Sequence, residues 1–200
     1  MNKNQRMRSI ALGLSLVFAA IAVAPMAMAD SMSSMSSMSS GKTVMVGGAA
    51  MYPSKNIIQN AVNSNDHTTL VAAVKAAGLV DTLSGTGPFT VFAPTNEAFA
   101  ALPAGTVDTL LKPENKADLT KILTYHVVAG KMTSKDLEKA AKAGNGNAVL
   151  KTVEGDSITV AKIDGKWTVT DDKGNVANIT IPNVIQSNGV IFVIDKVLMP

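Results

Sequence analysis

The chain contains no cysteine, which excludes disulfide stapling, thiolate zinc sites and a lipidated cysteine behind a leader. Histidine occurs only as His67 and His126, so a histidine metal site or a Ser-His-Asp triad would have to be built on one of those two rings. Arginine occurs only as Arg6 and Arg8. A protein that neutralises phosphates needs a basic face, usually rich in arginine. Nucleic acid is therefore not an expected partner. Phosphate-binding glycine motifs are missing too: Gly85 and Gly87 are followed by Pro88 and a strand pattern, where a P-loop or dinucleotide fold requires a helix.

What the amino terminus does contain reads as a signal peptide. Lys3, Arg6 and Arg8 precede an uncharged apolar run from Ile10 to Val23, and Ala27-Met28-Ala29 forms a small-x-small cleavage site before Asp30. The run is shorter than the ~20 residues a spanning helix needs, which argues against an uncleaved anchor. Cleavage after Ala29 sends the chain to the periplasm or outside the cell and leaves no transmembrane segment. It also removes three positive charges, leaving 15 Lys against 15 Asp plus Glu, a net charge of zero. Without disulfides, stability must come from a hydrophobic core, and a domain of ~150 residues buries about 70% of its unfolded surface. A single domain is expected.

Residues 30–50 read as a Met/Ser-rich flexible linker. Met32, Met35 and Met38 recur every third residue on a serine background, and serine and glycine supply no core. A sharper reading is a soft-metal or oxidant buffer. Thioethers select Cu(I), and Met32, Met35 and Met38, with Met45 and Met51 further on, are candidate ligands. No His or Cys lies close by to strengthen such a site. No resident cofactor is expected.

Beyond the linker the first half reads as helical. Asn56 to Asn63 carries Ile57, Ile58, Ala61 and Val62. A second helix, with Asp66 as cap, carries Leu70, Val71, Val74 and Ala77 and ends at Gly78. Phe89 to Phe92 is a short buried strand stopped by Pro94, after which Thr95 caps a helix holding Glu97, Ala98 and Phe99. A longer helix starts at Pro113, with Leu119, Ile122 and Leu123 on one stripe, and ends in Tyr125-His126. Thr133 and Asp136 fit a capping box. The period then changes to two: Ser157 to Ile163, Lys166 to Thr170 and Asn175 to Ile181 read as strands joined by turns at Asp164-Gly165 and Asp171 to Gly174. Val190 to Ile194 reads as a strand buried on both faces. Helices in one half and antiparallel strands in the other argue an α+β class.

Three segments carry a family resemblance. Phe89-Thr90-Val91-Phe92-Ala93-Pro94-Thr95-Asn96-Glu97-Ala98-Phe99, Tyr125-His126-Val127-Val128, and Ser187-Asn188-Gly189-Val190-Ile191-Phe192-Val193-Ile194-Asp195 resemble, in that order and spacing, the signature blocks and central Tyr-His element of a fasciclin (FAS1) domain. The resemblance covers residues 51–200. It implies a β-wedge of two small sheets with a helical cluster packed alongside, and a secreted adhesion or interaction module. In fasciclin domains of animal matrix proteins the Tyr-His element with its aliphatic neighbours is implicated in integrin recognition, and the matching positions are Tyr125, His126, Val127 and Val128. A second element there is an Asp-Ile pair, which falls on a loop at Asn183-Val184 and so lacks its carboxylate. Phe192 stands where many relatives carry histidine. A single such domain on a Met-Ser leader resembles bacterial envelope proteins.

Enzymatic activity is not expected. The paired carboxylates Asp171-Asp172, Asp136 with Glu138, and Glu154 with Asp156 sit in turns, caps or strand ends, whereas acid/base chemistry needs a buried, perturbed carboxyl aimed at substrate. The leading expectation is a module binding a cell-surface or envelope protein or glycan through Tyr125, His126, Val127, Val128, Asn183 and Val184. A small-molecule or lipid carrier using a cleft between wedge and helices is a third reading.

Overall fold

A computed structural model describes residues 43–200. The described chain opens with a hairpin, β1 (Val44–Val46) and β2 (Ala49–Met51), whose register pairs Val44 with Met51 and Val46 with Ala49. Alternation sends Val46 and Met51 into the core and leaves Met45 outside. This corrects the expected linker, which was drawn through residue 50: Val44, Val46 and Met51 supply buried apolar area, and the ordered fold starts before Met51. Helix α1 (Ile57–Ala61) follows, closed by a reciprocal capping box between Asn56 and Gln59.

The helical layer continues with α2 (Thr68–Ala77), α3 (Val80–Ser84), α4 (Asn96–Ala100), α5 (Thr106–Leu110) and α6 (Lys116–Tyr125). Asp66 does not cap α2 as expected. Asn65–His67 forms a 3-10 turn ahead of it, and His67 takes the cap position without a side-chain bond. Gly78 ends α2 in the left-handed conformation, as anticipated. Thr95 caps α4 by accepting from the Ala98 amide at 3.3 Å.

The strands β3 (Phe89–Pro94), β4 (Val127–Ala129), β5 (Asn147–Lys151), β6 (Ser157–Ile163), β7 (Lys166–Thr170), β8 (Val176–Gln186) and β9 (Gly189–Ile194) run in the spatial order β4-β3-β9-β8-β7-β6-β5. Helix α7 (Ser134–Ala143) lies between β4 and β5 in sequence and closes with the expected Thr133/Asp136 capping box. Strand β8 is the spine of the wedge. Its first residues pair with β7, and the stretch from Ile179 pairs with β9 through register shifts between Ile179 and Ile181 and between Ile181 and Val184. Such bulges bend a strand, and here they divide the strands into two four-stranded halves sharing β8. The outer edges of the halves meet again where Val128 bridges Thr152 and the Val153 amide donates to the Val127 carbonyl at 2.7 Å.

Two cores result. One lies between the helices and the β3–β9 side and includes Leu70, Val74, Leu119, Ile122, Val184 and Ile191. The other fills the wedge with Phe92, Tyr125, Leu137, Ile158, Val169, Phe192 and Leu198. Phe92 and Phe192 are register partners in the parallel β3–β9 pair, and their rings stack 5.5 Å apart. Phe192, like Phe92, is fully buried.

Candidate functional site

Helix α6 ends at the Tyr-His pair because its last turn is captured from three directions. The Tyr125 hydroxyl donates to the Ser157 carbonyl at 3.1 Å and accepts from the Asp172 amide at 3.0 Å, tying the helix to β6 and to the turn after β7. Burial pushes its pKa up to about 12. His126 accepts from the Leu198 amide through Nε2 at 3.0 Å. A ring nitrogen that accepts carries no proton, so Nδ1 holds it and donates to the Ile122 carbonyl at 2.8 Å. Desolvation drops the ring's pKa to about 4, and the imidazole is neutral at ordinary pH. The helix C-terminus would favour a charged ring; here burial outweighs it.

These bonds change the meaning of the expected binding residues. Tyr125, His126, Val127 and Val128 are all buried, with exposures between 0% and 5%. Val184 is buried as well, and the pair Asn183-Val184 belongs to strand β8 rather than to a loop. Asn183 has a positive φ of 58° at the bulge. Its side chain accepts from the Ser134 amide at 2.7 Å and donates to the Ser134 hydroxyl at 2.6 Å, holding the start of α7. The structure thus brings the Tyr-His element and the Asn183 element to the same wedge, but as packing and anchoring groups. None of the buried five offers a surface to a partner. With both ring nitrogens used, His126 also has no lone pair or proton free for catalysis.

The second signature block is likewise a joint. Asn188 accepts from the Ile57 amide at 3.0 Å and donates to the carbonyls of Leu83 and Gly85, each at 2.8 Å, so one amide side chain binds α1 and the end of α3 to the β8–β9 turn. Gly189 lies against the Phe89 carbonyl, leaving no room for a Cβ. The Asp171 carboxylate is 5% exposed and is satisfied by the Lys173, Asn175 and Met199 amides and the Asn175 side chain. It staples a turn and is not aimed at a cavity.

Two apolar cavities of about 30 Å³ each lie between the helices and the sheet. Ligand pockets usually span about 300–1,000 Å³, so neither has room for a lipid or a drug-sized molecule; an open depression of about 370 Å³ between the end of α4 and the start of β8, lined by Ala98, Leu102, Val176, Val197 and Met199, does reach that size. No group of three His, Asp or Glu side chains capable of holding a metal ion occurs among the described residues. Met32, Met35 and Met38 lie outside them. No helix among the described residues is long and apolar enough to cross a membrane.

The surface that sequence reasoning missed is the outer face of the β5–β8 half. Register aligns Val149, Thr159, Thr170 and Val176 in one row across the four strands. Val149 is 68% exposed and Val176 is 37% exposed. The row itself is uncharged and is flanked on β5 by exposed Asn147 and Lys151, while Thr168 on β7 is buried. The available signal was the alternation in Asn147–Lys151, where Ala148 and Leu150 turn inward and Val149 outward.

A family profile for the Fasciclin domain matches residues 65–200. A protein of Synechocystis sp., sll1483, is 48% identical over 159 residues, which is 80% of this chain and 81% of that protein. The cell surface glycolipoprotein MPB83 of Mycobacterium bovis is 36% identical over 160 residues, covering 78% of this chain and 64% of that one. Among solved structures, the FAS1 domain pair of the insect cell adhesion molecule fasciclin I aligns with a TM-score of 0.67 at 22% identity, over 74% of this chain and 52% of that chain.

Proposed function

The chain belongs to the fasciclin domain family, and from that premise we propose that it is an extracytoplasmic, non-catalytic interaction module that holds a protein or glycan in the cell envelope or at a cell surface. The observation that carries this reading is that the polar groups of its signature segments and of the turn after β7 are committed to the fold. Tyr125, His126, Asp171 and Asn188 spend their hydrogen bonds on the fold, so the groups left to act are on the outside. Export rests on the leader: Lys3, Arg6 and Arg8, the apolar run and the Ala27-Met28-Ala29 site.

The partner face is the outer row of Val149, Thr159, Thr170 and Val176. Strands ~4.8 Å apart and ~3.4 Å per residue, with same-face side chains two residues apart, make this row about 130 Å². Stable interfaces bury ~800 Å² per partner. A single contact of this size is weak, and useful adhesion comes from many copies engaging at once. A Val/Thr row with Lys151 at its margin suits such contacts, because little within the row has to be desolvated.

The test is crosslinking capture in the native envelope, using wild type, a Val149→Glu/Thr159→Glu variant, and a Lys151→Glu control on the same strand. Val149 and Thr159 face each other across β5 and β6, so the two new charges repel, and the melting temperature of the variant is measured to establish that it is folded before capture. Specific capture that the double variant loses and the control keeps supports the face. Capture undiminished in the double variant rejects the face, and no specific capture by wild type rejects the interaction reading.

A further inference from the structure

The open depression at the end of α4 is enclosed by three parts of the chain. Ala101 and Leu102 stand on the helix side, Val176 on the side of β8, and Met199 on the segment after β9. Ala98 and Val197, both buried, lie at its base. Alanine at 98 and 101 leaves the space open, since a longer side chain at either position would reach into it. Bonds behind the wall hold this shape. The Thr95 amide donates to the Ile194 carbonyl at 3.2 Å, fixing the start of α4 to the end of β9. The Met199 amide donates to the Asp171 carboxylate at 3.1 Å, fixing the terminal segment to the turn after β7. The depression is therefore formed in advance, and a ligand entering it has little backbone to order.

We propose that this depression binds a small anionic amphiphile, an aliphatic body carrying one carboxylate, with the body against Leu102, Val176 and Met199 and the carboxylate at Lys196. Its volume of about 370 Å³ falls in the range of small-molecule sites, about 300–1,000 Å³. Lys196 is the one charged residue on the wall, and no carboxylate lines it. Its ammonium belongs to no salt bridge among the described residues. The nearby acids are engaged elsewhere. Asp195, next to Lys196 in the chain, accepts from the Asn178 amide and side chain at 2.7 Å each. Asp171 accepts from Met199 and from the Asn175 amide and side chain. Asn175, the other polar residue of the wall, is thereby tied to Asp171, which leaves Lys196 as the group that selects charge. One ammonium is a compact point charge, and it matches a single carboxylate; a phosphate group calls for several donors or an arginine fork. The wall holds no aromatic ring for a flat ligand to stack on, so the body it fits is aliphatic. Val176 also ends the outer row, but the ligand's place does not depend on what that row binds.

The experiment uses the purified protein with 13C-labelled methionine methyls at pH 7.5, titrated with decanoate below its micelle concentration and, separately, with decanol, which has the same body without the charge. The Met199 methyl is expected to move with decanoate along a single-site curve while Met51 and Met132, elsewhere in the fold, stay in place. Decanol should bind more weakly. Lys196→Gln should weaken decanoate by about twofold to fivefold, the range of an exposed ion pair, and leave decanol unchanged. Ala101→Leu fills the depression and should abolish the Met199 shift with both probes, its fold being checked by Met51 and Met132 signals at their wild-type positions. A Met199 methyl that decanoate leaves unmoved overturns the site. Equal binding of decanoate and decanol overturns the assignment of an anion. Both of these readings come from the wild-type protein, so a misfolded variant does not weaken the test, and neither depends on capture of a partner by the outer row.

Discussion

Lowering the pH should unfold this domain through His126, and the size of the effect follows from its burial. The folded ring has a pKa of about 4, against 6.5 for an ordinary histidine. Above pH 6.5 the ring is neutral in both states, and no energy depends on it. As pH falls below 6.5 the unfolded chain takes up a proton that the folded chain refuses, so unfolding gains at 1.36 kcal/mol per pH unit. By pH 4.5 the domain has lost about 2.5 kcal/mol from this ring, and the loss levels off below pH 4. His67, also shifted downward by burial, adds in the same direction. The assay is urea unfolding at pH 7.5 and 4.5. With a slope of 1–3 kcal/mol per M, the midpoint should fall by about 1–2 M. His126→Gln separates this ring from the carboxylates. It is less stable at pH 7.5 by about 1–3 kcal/mol because the buried Leu198 amide loses its acceptor, but its fall towards pH 4.5 should be about 2.5 kcal/mol smaller than that of wild type. Equal falls in the two proteins would refute the reasoning. So would a His126 ring that titrates near 6.5 by NMR, since only a solvated ring does that, and a solvated ring would reopen its role as a contact.

Tyr125→Phe keeps the ring but strands the Ser157 carbonyl and the Asp172 amide. We expect a loss of about 2 kcal/mol, read as a drop of about 4–8 °C in melting temperature, with partner capture by the folded protein unchanged. Asn188→Ala removes the acceptor of the Ile57 amide and the donor of the Leu83 and Gly85 carbonyls, and should cost about 3 kcal/mol in chemical unfolding; a cost under about 1 kcal/mol would mean that water replaces the side chain. Thr133→Ala breaks the capping box of α7 and should cost about 1 kcal/mol, with faster amide exchange in Ser134–Leu137 as the local readout.

The helices with a cap and a stripe were legible. Thr95, Thr133 with Asp136, and Gly78 do what their residue types announce. The double-buried strand Gly189–Ile194 was legible from its unbroken apolar run. Other elements were missed in whole or in part. Helix α5 has no buried side chain to mark a face, β5 follows a Gly/Asn turn closely enough to read as its continuation, and β8 runs past Pro182 because bulges, which leave no periodic trace, absorb the break. The hairpin at Val44–Met51 was hidden by the serine-rich stretch before it. At the site, the Tyr-His motif revealed where chemistry converges but not whether it faces in or out. Leu198, which decides that for His126, lies 72 residues away.

Strand β9 is made after the other described strands, yet it sits between β3 and β8 in the middle of the sheet. Its parallel partner β3 is 100 residues earlier, Phe89 facing Gly189. Until Gly189–Ile194 has been synthesised, β3 and β8 have no strand between them, Phe92 has no ring to stack on, and the anchor at Leu198 for His126 does not exist. Pairings this distant in sequence form slowly. The order of synthesis therefore works as a timer: the domain stays open while its chain is being made, which is the state in which a polypeptide can be threaded through a translocation pore, and it closes once its last strand arrives.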